Sequence, residues 1–256
     1  MPWSEKARGL IRNHYAPVGR IGRANLNSAY RLFEDMAKKN KYDEETMAKI
    51  TDLCDIYKGR ADDLAKYTVS YRNYCEHVDS VDDIKIAPFH LLAYDEIVNM
   101  GKDSTHLEDH INVIRKYVVD DKNFVATPYM MVNTENPDDV KDCIDWWLDA
   151  TSHGYEGMVV KPSTYTAYNE HGQVIQPAIK CRGKEYLRII YGPEYTSDIQ
   201  RLKKRSLSAK RGLAINEFAL GIDSLTSFVK QKAFYKVHQS ALAVLANEFE
   251  PVDVRL

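Results

Sequence analysis

The sequence predicts an α+β protein, with a segment of mixed or antiparallel sheet held between a helical N-terminal module and a helical C-terminal region. Three observations carry this prediction. Apolar residues recur at helical spacing from the start of the chain to about His77, two short apolar runs stand between Tyr155 and Tyr195, and helical periodicity returns from Ser197 to about Phe249. The expected division is residues 1–80 for the helical module, 81–196 for the core segment and 197–256 for the C-terminal helices.

Composition narrows the classes of function. The 256 residues suffice for one large domain, or for a core with a helical addition. With a net charge of −2 and an isoelectric point near 6.5, any grip on nucleic acid has to come from a local patch. Cys54, Cys75, Cys143 and Cys181 lack paired spacing, which argues against a disulfide framework or thiolate metal site and fits a reducing compartment. There is no apolar run long enough to span a bilayer and no signal peptide, so a soluble cytoplasmic protein is expected.

At the N-terminus, Ser4 is the expected N-cap of a helix, with Glu5 in its first turn and Ala7, Leu10 and Ile11 at helical spacing. Pro17, Gly19 and Gly22 should break this helix from a second, Asp43-Glu44-Glu45 should start a third, and Gly59 should separate the last pair. Leu26, Tyr30 and Phe33 share one face, as do Met47, Ile50, Leu53 and Ile56, and then Leu64, Tyr67, Tyr71 and Tyr74. The tyrosines together with Arg60, Lys66 and Arg72 suit either contact with single-stranded RNA or an amphipathic core with a solvated face.

Ile84 to Tyr94 reads as the first strand, followed by a helix from about Ser104 to Val119, a strand near Phe124-Val125-Ala126 and a helix from Pro137 to about Thr151. His106 and His110, four apart, have a spacing that can hold a metal. The intervening residues do not match the zinc-protease word, so a solvated first helical turn is the other reading. Past Tyr195, a basic cluster (Arg201, Lys203, Lys204, Arg205, Lys210, Arg211) precedes an apolar-periodic segment containing Ile215, Phe218, Ile222, Leu225 and Phe228. The cluster is either a solvated face or a contact for an RNA backbone.

The densest chemistry lies between Tyr155 and Tyr195. A β-branched run closed by Lys161-Pro162 reads as a strand that stops, because proline has no amide to continue a ladder; Glu156 and Lys161 then stand at its two ends. In Ile179-Lys180-Cys181-Arg182 the side-chain period of two puts Lys180 and Arg182 on one face. Two neighbouring cations repel unless something anionic sits opposite. A phosphate chain would serve, with Arg182 as a planar fork and Lys180 as a point charge, and a solvated edge strand is the alternative.

Glu156-Gly-Met-Val-Val-Lys-Pro resembles the fourth motif of the covalent nucleotidyltransferases, the ATP-dependent DNA and RNA ligases and mRNA capping enzymes. Gln176-Pro-Ala-Ile-Lys-Cys-Arg resembles their fifth. With Ala87-Pro-Phe-His-Leu-Leu-Ala and Lys184-Glu-Tyr-Leu-Arg-Ile-Ile-Tyr-Gly-Pro-Glu-Tyr, the chain is similar more narrowly to the ligase domain of bacterial polynucleotide kinase-phosphatase RNA-repair proteins, from Pro2 to Leu256. The resemblance implies part of a nucleotidyltransferase core, with the N-terminal helices as an insert.

It also implies a chemistry. A lysine attacks the α-phosphate of ATP, the lysyl-AMP passes its AMP to an RNA 5′-phosphate, and a 3′-hydroxyl displaces it, with Mg2+ or Mn2+ present. By carry-over Phe89 would stack on adenine, Lys161 would sit beside the nucleotide, Lys180 and Arg182 would contact phosphates, and Glu156 would hold the cation or its waters. The nucleophile itself, expected in Lys-x-x-Gly form after a strand, is not found: Lys6-Ala7-Arg8-Gly9 spells the word, but in a helix. No Gly-x-x-x-x-Gly-Lys-Ser/Thr loop of a kinase is present either. The chain is therefore expected to be the C-terminal part of an RNA ligase, inactive alone. Its implied partners are RNA with broken 5′-phosphate and 3′-hydroxyl ends, the upstream kinase, phosphatase and ligase parts, and an RNA 3′-terminal 2′-O-methyltransferase, in an oligomeric complex; docking that methyltransferase without catalysis is the alternative role.

Overall fold

In a computed structural model the protein is mainly helical, and residues 5–39, 41–94, 97–98, 106–118 and 121–247 are described. The expected N-cap Ser4, the helix start at Ser104 and the helix ends at Val119 and Phe249 lie outside them.

The N-terminal helices are longer than the sequence suggests. Helix α1 (Glu5–Leu10) runs through a wide π-turn (Ile11–Tyr15) into α2 (Ala16–Lys39), so Pro17 does not break the helix. Proline lacks the amide that the preceding turn would accept, and a widened turn just ahead of it takes up the mismatch. Gly19 and Gly22 serve close approach: a Cβ on Gly19 would stand 2.8 Å from the Tyr71 ring, and one on Gly22 2.9 Å from Leu64. Both contacts are with α3 (Glu44–Arg72), the antiparallel partner of α2, which passes straight through Gly59. Asp43 caps α3 as expected, its carboxylate accepting from the Thr46 amide at 2.8 Å.

Tyr15, Leu64, Tyr67 and Tyr71 form the buried core of this unit, together with Ile189 from beyond the sheet. Tyr67 and Tyr71 are thus core residues, whereas Leu53 and Ile56 of the expected apolar face are exposed.

The sheet is smaller than predicted. Among the described residues it consists of two antiparallel ribbons, β1 (Ala93–Tyr94) with β2 (Ile97–Val98) and β3 (Gly157–Val160) with β4 (Ile179–Arg182). From Ile84 to Leu92 the expected strand makes a single bridge, Ile86 to Phe124, with Ile86 donating to the Asn123 carbonyl at 2.7 Å and accepting from the Val125 amide at 2.9 Å. β-propensity makes a strand only where a backbone partner lies alongside, and this segment forms a ladder bridge at one residue, its Ala87 and Pro88 carbonyls accepting instead from the Thr127 hydroxyl.

Helix α4 (Leu107–Tyr117) starts beside the chain that leaves β3, where Leu107 donates to the Ser163 carbonyl at 2.8 Å. Helix α5 (Pro137–Ser152), with Asn136 as cap and Pro137 in its first turn, covers one face of the β3–β4 ribbon. Its Trp147 donates to the Cys181 carbonyl at 2.9 Å, and Cys143 touches Met158. Helices α6 (Lys184–Tyr191), α7 (Ile199–Lys203), α8 (Ser208–Val229) and α9 (Phe234–Asn247) follow, α8 and α9 packing together.

Helix α6 binds the ribbon to the N-terminal unit. Arg188, 1% exposed, reaches Glu185 at 3.0 Å, Asp63 of α3 at 3.2 Å and the Pro193 carbonyl. Ser70 donates to Glu185 at 2.8 Å, and Arg60 pairs with Glu194 at 2.8 Å.

Candidate functional site

The β3–β4 ribbon sets the site's geometry. Pairing of Gly157 with Arg182, Met158 with Cys181, Val159 with Lys180 and Val160 with Ile179 puts Gly157, Val159, Lys180 and Arg182 on the face opposite Met158 and Cys181. Because α5 takes the Met158–Cys181 face, the cations Lys180 and Arg182 are left on the open one.

At one end of the ribbon Glu156 accepts from Arg182 at 2.6 Å, and Arg182 lies over the Tyr186 ring at 4.5 Å. Gly157 makes this pairing possible. Its φ is +133°, and a Cβ there would stand 2.1 Å from the Cys181 carbonyl oxygen, so the two backbones approach where only glycine fits. Behind this end a cavity of about 530 Å3 opens toward α3, lined in part by Tyr74, Tyr155, Glu156, Glu185 and Tyr186.

Lys161 marks the other end, about 16 Å along the backbone from Glu156 at the rise of an extended strand. Its Nζ is 2.9 Å from His90 Nε2 and 4.0 Å from the centre of the Phe89 ring. Burial lowers the Lys161 ammonium to about 8. His90 is lowered to about 4, by burial first and then by the charges of Lys161 and His110. Tyr165 packs edge-on to His90 at 4.7 Å and parallel to His110 at 6.1 Å, and it meets Phe218 of α8 at 5.4 Å.

The structure thus joins Glu156 to Arg182 and Lys161 to Phe89, with Lys180 exposed on the open face between these ends. His106 and His110 do not form a metal pair: His110 is buried among aromatic rings while His106 is exposed, and no group of three metal-binding side chains occurs among the described residues. The first turn is solvated at His106, Glu108 and Asp109, as the other reading has it, whereas His110 is 2% exposed. Sequence reading missed His90, His110, Tyr165 and Phe218 as a cluster. Its one signal was His90 adjoining Phe89, and the other members join through tertiary packing.

In the C-terminal region the basic cluster is exposed at Lys203, Lys204 and Arg211. Arg201 is paired with Asp198 at 2.6 Å, and Arg205 stands over Tyr191 at 5.9 Å. Among the described residues no helix is long and apolar enough to cross a membrane.

Comparison with known proteins gives a consistent result. Two solved chains, one from a structure of the Pnkp1/Rnl/Hen1 complex and one from a structure of the Pnkp1/Rnl/Hen1 RNA repair complex, are each 17% identical to this chain. They superpose with TM-scores of 0.65 over 100% of the chain and 0.51 over 98%, and the chain spans 70% and 63% of their respective lengths. No curated protein gives a significant sequence match. The family described as PNKP adenylyltransferase domain, ligase domain, matches residues 1–251, and the chain belongs to that family.

Proposed function

We propose that this chain is part of an ATP-dependent RNA ligase that reseals broken RNA through lysyl-AMP and RNA-adenylate intermediates. The observation that carries the reading is the β3–β4 ribbon, which presents Lys180 and Arg182 on one open face with Glu156 and Lys161 at its ends. Lys180 and Arg182 receive the phosphates of ATP and then the adenylate bridge, where fixed cations oppose charge that spreads over the phosphoryl oxygens. Phe89, 49% exposed, offers ring surface to the adenine. Lys161 supplies a cation beside the nucleotide.

Glu156 fits a magnesium or manganese ion held by one carboxylate, waters and substrate oxygens, provided Arg182 yields its partner to the phosphate. When bound, such an ion offsets phosphoryl charge. In this reading the attacking lysine lies outside the chain, since the Lys6-Ala7-Arg8-Gly9 word falls in α1 rather than after a strand. Residues 1–80 then form the insert, 81–196 the core segment carrying the fourth and fifth motifs, and 197–256 the C-terminal helices, of a cytoplasmic protein.

Ligation of nicked RNA and nicked DNA, measured with the upstream polypeptide added, tests the proposal. Sealing of RNA in preference to DNA, lost in Lys180→Ala, is expected; no sealing, or sealing indifferent to Lys180, would refute it.

A second reading is assembly. Phe228, Phe234, Tyr235, Leu242 and Leu245 of α8 and α9 are each more than 60% exposed, a concentration of apolar surface that suits a partner such as an RNA 3′-terminal 2′-O-methyltransferase. Sedimentation with that partner tests it: no co-sedimentation by a chain that still binds nucleotide defeats the docking role.

A further inference from the structure

The Lys161–His90 contact lies outside everything the resemblance implies. Lys161 leaves β3 just before Pro162, and an ammonium has only donors, so its Nζ–H donates to His90 Nε2 at 2.9 Å. That bond needs an imidazole with its proton on Nδ1 and a free electron pair on Nε2. Aromatic rings flank the half-buried imidazole: Phe89 lies at 4.7 Å, Tyr165 at 4.7 Å and His110 at 6.3 Å, while Phe218 backs Tyr165. These neighbours restrict how the ring can turn.

We propose that His90 is a positioning residue for Lys161: its imidazole holds the Lys161 ammonium against the Phe89 ring, so that an incoming nucleotide meets a cation already aimed and still charged. This inference rests on the reading of Lys161 and Phe89 as nucleotide contacts. Two opposing effects meet at Lys161. Burial favours the neutral amine, whereas the His90 acceptor and the Phe89 ring face both favour the cation. The titratable groups around the pair are His110 and its neighbour Asp109 from α4 and Tyr165 from the loop after β3. His90 is held near 4 and Lys161 near 8, so between those values a neutral imidazole faces a protonated lysine, as the bond requires.

The test is a titration of Lys161 in the full chain. Lysines are reductively methylated with 13C, a modification that leaves the protonated amine one N–H to donate, and the Lys161 resonance is assigned by its loss in Lys161→Arg. His90→Phe keeps the aromatic packing and removes the acceptor. A charge-assisted hydrogen bond corresponds to about one pH unit or more, so the Lys161 midpoint should fall by at least that much in this variant. His90→Gln, whose amide oxygen can accept the same bond, should keep the parent midpoint.

A midpoint unmoved in His90→Phe, or moved equally in both variants, overturns the proposal. Repeating the titration with ATP separates it from the reading beneath it. If His90→Phe shifts the midpoint while ATP leaves the Lys161 resonance untouched, the positioning contact stands and the nucleotide role of Lys161 fails.

Discussion

Replacing Gly157 with alanine should damage both the fold and the site, and the structure says why. The new Cβ would stand 2.1 Å from the Cys181 carbonyl oxygen and 2.8 Å from the Arg182 Cα. Both are backbone atoms, so no rotamer change relieves the clash. Gly157 pairs directly with Arg182, and relief requires β3 and β4 to part at the end where Glu156 holds Arg182. Backbone strain at φ +133° costs about 1–3 kcal/mol, and overpacking costs about as much again, giving roughly 2–6 kcal/mol. At about 2–4 °C per kcal/mol for a chain of this size, the melting temperature should fall by roughly 4–24 °C. Gly172 is the control: its φ is +72° and nothing lies within 4 Å of a Cβ there, so alanine meets only the left-handed backbone cost of about 1–2 kcal/mol. Thermal unfolding followed by circular dichroism compares the two. Equal melting temperatures for Gly157→Ala and Gly172→Ala would refute the close-approach argument.

Three further outcomes follow from the same geometry. Arg188→Ala strips Asp63, Glu185 and the Pro193 carbonyl of a shared buried partner and should cost about 3–5 kcal/mol in urea unfolding, whereas Arg60→Ala, at a pair more than one third exposed, should cost at most about 1 kcal/mol. Stability should decline as pH falls from 6.5 toward 4. The unfolded His90 takes up a proton in that window and the folded one does not, which lowers stability by up to about 1.4 kcal/mol per pH unit; His90→Phe should reduce the slope of denaturation midpoint against pH. Lys180→Ala should slow transfer of AMP to an RNA 5′-phosphate by about 10²–10³, read in single-turnover assays with the upstream polypeptide present.

The two strands carrying the site were legible because their signals are local, whereas their pairing was not. A β-branched run ending at Lys161-Pro162 has to stop there, and alternation alone puts Lys180 and Arg182 together. Helix α5 was legible for the same reason, with Pro137 and Thr151 near its observed ends. Errors arose wherever a local signal met a tertiary answer. Gly19 and Gly22 read as helix breakers, yet they let α2 approach Tyr71 and Leu64; Gly59 also read as a breaker, and α3 carries it in open space. The segment from Ile84 to Tyr94 has strand composition but forms a backbone bridge at Ile86 alone before β1. His110 has the spacing of a metal ligand, and its burial against Tyr165 depends on the Ser163–Leu107 contact, which joins residues far apart in the chain.

The central claim is that Glu156, Lys180 and Arg182 form the phosphate and cation half of an adenylyl-transfer site whose attacking lysine lies elsewhere. Incubating the purified chain with α-labelled ATP and magnesium or manganese, with and without a polypeptide carrying the upstream part, tests this directly. The account predicts covalent label only when the upstream polypeptide is present, and its loss in Glu156→Ala and Lys180→Ala. Label on the chain by itself would make one of its own lysines the nucleophile, Lys6 first among them, and would contradict the account.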